Sequence, residues 1–574
     1  MLDDVDALPG GPKFTVEAVP LDCEGHEHKN YVVARNIIDV VRELIGNRRF
    51  KKMMRYAPVR KWRLDARGRK SSRVYGEMWT AEWWWKMQWV LSQFDKQATI
   101  APLIIASDKT SLSIMSGGQQ AYPVYLTIGN INKSIRRKAK KHATVLLGYL
   151  PVDKFEDAKT VEERARLRAE LAHRSMEKIM APLRTASEEG VVAWCADGRM
   201  RRVYPIMAAF VGDWPEQTMM ASTGESGCPI CKAKRKGRGG LEQRAKARKP
   251  SETLAALHSY ERHNKHKGEL EDLDIKPWWP WWRYLPHCNF HASIAPDLLH
   301  QLHQGIFKSH ILPWTYAAMK EAPANRRFMA MSPAEGMRHF KKKVSKIKQW
   351  TGRESKELMK QFLPIIVGSG CDPDFVGMVR AALDFMYYAH SAELTSEDLK
   401  EMDHALEEFH RLKGVVVRMG IFQNMGRFDK IAKLHMISHY THLTRQLGAP
   451  DGYNTESPEH LHIMYAKTPY RASNKCQPTA QMVKFIERQE KIRMHKATLA
   501  WCLGGDQGDE EDEEDREGDD VVMVEEEDEF LEREEDEDEE EEEDEDGDGD
   551  DEGEGEVEGE EDQAGEPGNR AEGK

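Results

Sequence analysis

The sequence predicts an α/β fold interrupted by a large helical insertion, and three observations carry that expectation. Residues 100–107 (IAPLIIAS), 123–129 (PVYLTIG) and 143–150 (ATVLLGYL) are apolar, β-rich runs separated by polar turns, which read as a three-stranded antiparallel meander. Residues 161–189 follow with helical composition, broken only by Pro182, and deliver the chain to Gly190 and a short apolar run at 191–196 (VVAWCA) that reads as a buried strand. From about residue 240 to 430 the apolar residues recur instead at i, i+3, i+4, the spacing of helices.

In chain order, residues 1–98 are expected to form a lead-in of short helical and irregular pieces, with an amphipathic run at 32–44 and a tryptophan-dense stretch at 79–89. Residues 99–239 hold the first part of the core. Strand, strand, strand, helix, strand, with Asp108 ending the first strand and Asp197 ending the fourth, is the layout of a ribonuclease-H-like core. The insertion, 240–430, is expected to contain helices at 251–263, 297–319, 333–350, 355–363, 374–390 and 396–419. The core then resumes over 431–504, with a helix at 433–447, a segment at 452–471 and a moderately helical stretch at 479–503. No internal repeat is visible at periods of ~20–50 residues.

Charge divides the chain in two. The 574 residues carry 84 Lys+Arg against 97 Asp+Glu, a net charge of −13, but residues 505–574 hold 42 acids and 4 bases, so the remaining 504 residues are at +25. The acidic tail has too little apolar surface to offset the entropy of ordering and is expected to be disordered and non-catalytic. The basic body suits a polyanionic partner. No stretch approaches ~18 uncharged apolar residues, and the acidic start Met1-Leu2-Asp3-Asp4 lacks the basic and apolar regions of a secretory signal, so an intracellular protein without a membrane partner is expected. Only two of the eight cysteines lie close together, which favours metal binding over a disulfide framework.

Two aspartates at the ends of neighbouring strands repel each other, and a bridging divalent cation relieves that repulsion. Two-metal phosphoryl transfer holds Mg²⁺ or Mn²⁺ ions on three carboxylates, one ion activating the attacking oxygen and the other stabilising the leaving one. Glu456 is the candidate third carboxylate, in the string Tyr453-Asn454-Thr455-Glu456-Ser457-Pro458-Glu459, and Glu459 is the reserve. The plainer reading makes Asp108 and Asp197 turn residues and Glu456 a first-turn acid that favours the helix dipole. Cys228-Pro229-Ile230-Cys231 and the i, i+4 pair His435 and His439 supply the four ligands of a Cys₂His₂ structural Zn²⁺ site. Asp297, His300, His303 and His310 share one helical face, as core histidines, metal ligands or partners of ligands.

Basic clusters at Arg136, Arg137, Lys138, Lys140 and Lys141, at Lys232, Lys234, Arg235 and Lys236, and at 244–249 flank these motifs. A single charge run is ordinarily a solvated surface, but on a body of +25 such runs are expected to bind DNA phosphates. They also have the composition of nuclear localisation signals.

Several strings together resemble the Plavaka transposases, fungal cut-and-paste elements related to the CACTA group. They are Ala106-Ser107-Asp108-Lys109-Thr110, 122–129 (YPVYLTIG), 132–138 (NKSIRRK), 142–151 (HATVLLGYLP), Cys195-Ala196-Asp197-Gly198, 296–305 (PDLLHQLHQG) and 451–462 (DGYNTESPEHLH). The resemblance spans about residues 8–500 and implies a transposase acting on double-stranded DNA in the nucleus, with a homodimer as working unit. It implies an Asp-Asp-Glu triad of Asp108, Asp197 and Glu456 on Mg²⁺ or Mn²⁺, with Cys228, Cys231, His435 and His439 on Zn²⁺. Active elements of this type usually begin with a further zinc-finger-like DNA-binding module. The chain starts almost directly at the lead-in to the core, so terminal-repeat recognition is expected to be missing. The acidic tail is not a feature the resemblance predicts; histones or other basic proteins are its expected partners. A non-catalytic, transposase-derived chromatin protein is the alternative expectation.

Overall fold

The computed structural model describes residues 2–503 apart from 24–25, 114–117, 242–244, 264, 336, 348–349 and 351. The acidic tail expected to be disordered lies outside the described residues. Met1–Leu499 form one unit, and a second begins at Ala500.

Seven strands make the main sheet: β1 (Phe14–Cys23), β2 (His26–Arg35), β3 (Thr99–Ser107), β4 (Pro123–Ile128), β5 (Val145–Tyr149), β6 (Val191–Trp194) and β7 (Met200–Val211). Their order is β1-β2-β5-β4-β3-β7-β6. The meander β3-β4-β5 pairs antiparallel as its apolar runs predict, and β3 and β4 are buried along their whole length. β7 lies parallel to β3, in the register Val203↔Thr99 through Val211↔Ala106. A parallel neighbour requires a crossover, and the helices α1 (Val161–Met180) and α2 (Leu183–Glu189) supply it.

Two expectations change here. The run at 191–196 is an edge strand, β6, with Val192 and Trp194 55% and 66% exposed, and it turns back antiparallel into β7. The strand beside β3 is therefore β7, which begins with Met200-Arg201-Arg202 and contains Pro205, features that argue against a central strand. β6 pairs with β7 only as far as Val203, so Pro205 lies where no strand covers that side. The lead-in is also more ordered than its sequence pattern: β1 and β2 pair over ten residues as a hairpin that extends the sheet past β5. Much of β1 is exposed, so it carries no apolar run to announce it.

The C-terminal half is helical. α3 (Trp214–Met220) follows β7, and then come α4 (Leu298–Ile311), wound with π-type turns, α5 (Gly352–Ile366), α6 (Pro373–Ala389), α7 (Ser396–Leu412) and α8 (Glu456–His462). The core shared by α4, α5, α6 and α7 includes Leu298, Phe307, Phe362, Phe375, Met386 and Phe409. Residues 333–350 do not form the expected helix; among the described residues they hold a single turn, Val344–Lys346. Phe340 and Val344 are buried while Lys341, Lys342 and Lys343 between them are exposed, so two anchors four residues apart imitate helical spacing.

Candidate active site and metal centre

Because β3 and β7 run parallel with Val211 opposite Ala106, the residues two places beyond them, Asp213 and Asp108, emerge at the same end of the sheet. Carboxyl ends of neighbouring strands, where the sheet switches topology, are where open α/β sheets form ligand crevices. Asp213 caps α3: its Oδ1 accepts the Glu216 N–H at 2.9 Å, and Pro215 fills the first turn. Burial raises the Asp213 pKa, and the nearby negative charges of Asp108 and Asp297 raise it further. One turn on, the buried Glu216 accepts the Ser107 hydroxyl and, at 2.6 and 2.7 Å, the Tyr122 hydroxyl. Burial pushes Glu216 up to about 8. The base of the crevice is thus a carboxyl whose burial favours the protonated form, tied to the end of β3 and to the residue before β4.

The helical half closes over this end. Asp297, 1% exposed, caps α4 by accepting the N–H groups of Leu299 and His300, and it also accepts the Thr455 hydroxyl at 2.7 Å just before α8. His300 is gripped on both sides, Nδ1 at 3.1 Å from Asp297 and Nε2 at 3.2 Å from Glu459. Burial opposes its charge, but those two carboxylates prevail and raise its pKa to about 10. Farther along α8, His462 places Nε2 3.4 Å from Asp108 Oδ2 and Nδ1 3.0 Å from the Tyr125 hydroxyl. Glu456 faces Lys356 of α5, 2.5 Å away. Asp108, Asp213 and α8 with its two glutamates therefore lie around one end of the sheet. His303 is buried against His390 at 2.6 Å, a core histidine, and the half-buried His310 packs on Trp314.

Asp197 is elsewhere. It sits in the β6–β7 turn, where Gly198 adopts φ +81°, before the start of β7. The 12-residue β7, ~40 Å of strand, lies between Asp197 and Asp213. Both its oxygens are taken by Arg201, at 2.7 and 2.6 Å, and that guanidinium stacks over Tyr56 at 4.0 Å. Arg201 holds the Asp197 carboxyl down at about 2. Asp108 and Asp197, expected as a pair, therefore lie at opposite ends of these strands, and Asp213 is the aspartate that emerges at the same end as Asp108. In sequence, Asp213 stands in Phe210-Val211-Gly212-Asp213-Trp214-Pro215-Glu216, an acid at the end of an apolar run with proline in the next turn.

Four metal-binding side chains converge from distant segments. Cys231 Sγ lies 3.1 Å from His435 Nε2, Cys228 Sγ 3.5 Å from His439 Nε2, and the two imidazole nitrogens are 3.2 Å apart. All four ligand atoms fall within 4.8 Å of one another. Tetrahedral sites with metal–sulfur bonds near ~2.3 Å and metal–nitrogen bonds near ~2.0 Å have edges of this order, so the donor set fits one ion. Backbone contacts brace the knuckle: Arg248 Nε donates to the carbonyls of Cys228 and Cys231 at 2.7 and 3.1 Å, and His291 Nδ1 donates to the Pro229 carbonyl at 2.8 Å.

A model of the Plavaka transposase family matches residues 1–315. The chain belongs to this family. The matched span contains Asp108, Asp213, the Cys-x-x-Cys knuckle and the Asp297–His300 couple, and it stops before α8. Membership in the Plavaka family implies DNA as partner and divalent metal ions as cofactors. No curated protein matches the chain, and no helix among the described residues is long and apolar enough to cross a membrane.

Within this Plavaka-family chain, the basic clusters divide. Arg136 is buried, donating to the carbonyls of Ile131 at 3.0 Å and Gly452 at 3.1 Å, and Arg137 pairs with Asp451 at 3.2 Å beside the buried Lys133–Asp451 pair. These two arginines, expected on phosphates, tie the end of β4 to the approach to α8. Lys232 pairs with Glu252 at 2.5 Å. Lys140, Lys234, Arg235 and Lys236 are exposed, whereas Lys138 and Lys141 are half-buried.

Proposed function

We propose that this chain cleaves and joins DNA strands by two-metal chemistry at Asp108, Asp213 and a glutamate of α8. The meander β3-β4-β5, the crossover helices and the parallel β7 support a ribonuclease-H-like core, and the observation that carries the reading is the shared end of β3 and β7. Glu456 is the third carboxylate in this reading, while Glu459, held by His300, fixes the helix that carries it. Mg²⁺ or Mn²⁺ bound there would activate the attacking oxygen and stabilise the leaving one. The residues of the chain hold that constellation in place. Asp297 locks the start of α8 through Thr455, and His462 orients Asp108. Glu216, uncharged near neutrality, adds no further negative charge behind the two aspartates. Zn²⁺ is the proposed occupant of the Cys228, Cys231, His435 and His439 site, joining the knuckle to the segment that leads to α8. A nuclear protein acting as a homodimer, with histones or other basic proteins on the acidic tail, completes the proposal.

The test is nicking of supercoiled plasmid by the full chain in Mg²⁺ or Mn²⁺. Asp108→Ala and Asp213→Ala should abolish it, and Glu456→Gln should too while Glu459→Gln weakens it. If the two glutamate variants exchange behaviour, Glu459 is the third acid. DNA binding without cleavage in either metal would contradict catalysis and favour a non-catalytic chromatin role.

A further inference from the structure

A hairpin outside the main sheet carries charge that neither the catalytic reading nor the metal site uses. Residues 60–73 contain seven bases and one acid. They form two antiparallel strands, Lys61–Leu64 and Lys70–Tyr75, with Trp62 opposite Arg73 and Leu64 opposite Lys70. Every residue of Lys61–Leu64 is exposed, with Trp62 and Leu64 at 37% and 63%. With Leu394–Thr395 paired to the second strand, the two strands make a three-stranded sheet separate from the main one.

The two ends of the hairpin are built rigidly. At the tip, the Asp65 carboxylate accepts the N–H groups of Arg67 and Arg69, both at 2.9 Å, and pairs with the Arg69 guanidinium, while Gly68 takes φ +72°. The one acid of the ribbon is consumed in shaping the turn that carries Arg67. At the base, Arg73 donates to the Thr80 carbonyl at 2.7 Å, and Leu394–Thr395 adds a third short strand. The chain then passes through Gly76, whose carbonyl accepts the Ala449 N–H at 2.8 Å, and Glu77, which accepts the Lys133 N–H at 3.2 Å. Ala449 and Asp451 lie on the approach to α8, so the ribbon is rooted beside the helix that carries Glu456.

Arg63 and Arg67 make no side-chain hydrogen bond or ion pair among the described residues. A basic, two-stranded antiparallel ribbon has the width to lie in the major groove of duplex DNA, with lysines and arginines reaching the phosphates on either side. We infer that the ribbon 60–73 is a double-stranded DNA-binding element that holds the duplex next to the proposed active site. Arg60, Arg63, Arg67 and Lys70 are its phosphate contacts, whereas Lys61 pairs with Glu393 at 2.5 Å. This rests on DNA being the substrate, and it adds a named contact surface to that reading.

The experiment measures binding of the full chain to a random-sequence 30-base-pair duplex over a salt series, comparing wild type with Arg63→Ala/Arg67→Ala/Lys70→Ala. Each lost phosphate contact lowers the log–log salt slope by about 0.9, so the variant should lose about 2–3 units of slope and bind roughly 10-fold or more weaker near 0.1 M salt. The three side chains are exposed, so thermal unfolding should not move. Unchanged affinity and slope would overturn the inference, even if the protein still nicks plasmid. A second arm places a photo-crosslinker on Arg67→Cys. Crosslinks to the duplex support the inference, whereas crosslinks only to residues 505–574 of the same chain would overturn it by making the acidic tail the occupant. Nicking retained in Asp213→Ala alongside weakened duplex binding in the triple variant would mean that the catalytic reading fails while this one stands.

Discussion

Asp197 and Asp213 belong to one stretch of chain, one before β7 and one after it, and they have opposite environments. Asp197 occupies an open hairpin turn, neutralised by a bidentate arginine that holds its pKa at about 2. Asp213 lies half-buried at the carboxyl end, where burial and Asp108 push its pKa up. The charge of Asp197 is already balanced by Arg201. A carboxylate held beside a second carboxylate is stabilised by any cation that comes between them. The end of the strand, more than the acidic residue itself, decides which chemistry is available.

The sharpest way to break this comparison is to exchange the two losses. Asp213→Ala should reduce metal-dependent nicking by at least about 10³-fold, the scale on which a group central to the chemistry acts, whereas Asp197→Ala should leave it within a few-fold. Comparable losses in both would erase the distinction between the two ends.

Smaller in effect on catalysis, but large for the fold, is the metal centre. Cys231→Ser, or treatment with a strong chelator, should lower the melting temperature by roughly 5–10 °C, because a structural metal contributes folding free energy directly. Restoring the melting temperature with added Zn²⁺ in wild type but not in the variant checks the assignment.

Glu216 sharpens the comparison through pH. Its folded pKa, about 8, is above its unfolded value, so folding takes up a proton there, and stability should fall as pH rises from about 5 to 8. Glu216→Gln should flatten that slope in thermal unfolding, and an unchanged slope would show that the carboxyl is ionised in the fold. Asp197 has the opposite sign. Its depressed pKa gives stability that is present above about pH 4 and lost as pH falls towards 2. The pair is partly exposed and screened, so Asp197→Asn should cost only about 1 kcal/mol at neutral pH, the smallest of these effects.

The meander was legible because β3 and β4 are buried on both faces and so form uninterrupted apolar runs. The Cys₂His₂ set was legible because both ligand pairs are local in sequence: a two-residue knuckle, and two histidines one helical turn apart. The position of Asp213 beside the end of β3 was not. An exposed edge strand, Val191–Trp194, is as apolar in sequence as a buried one, and β7 was disguised by two arginines at its start and by Pro205. Which strand lies parallel to β3 is a pairing between distant segments, and local pattern does not encode it. The same holds for His300 and His462, whose partners Glu459, Asp108 and Tyr125 are brought to them only by closure of the helical half. Arg136 shows the reverse error, a residue in a basic run that is buried as a structural clamp.

Mn²⁺ binding to the full chain, followed by electron paramagnetic resonance in wild type, Asp213→Asn and Asp197→Asn, tests the placement of the site most directly. Wild type and Asp197→Asn should bind Mn²⁺ with similar affinity, and Asp213→Asn should lose it. Retention of Mn²⁺ by Asp213→Asn together with its loss in Asp197→Asn would contradict the placement of the site at the carboxyl ends of β3 and β7.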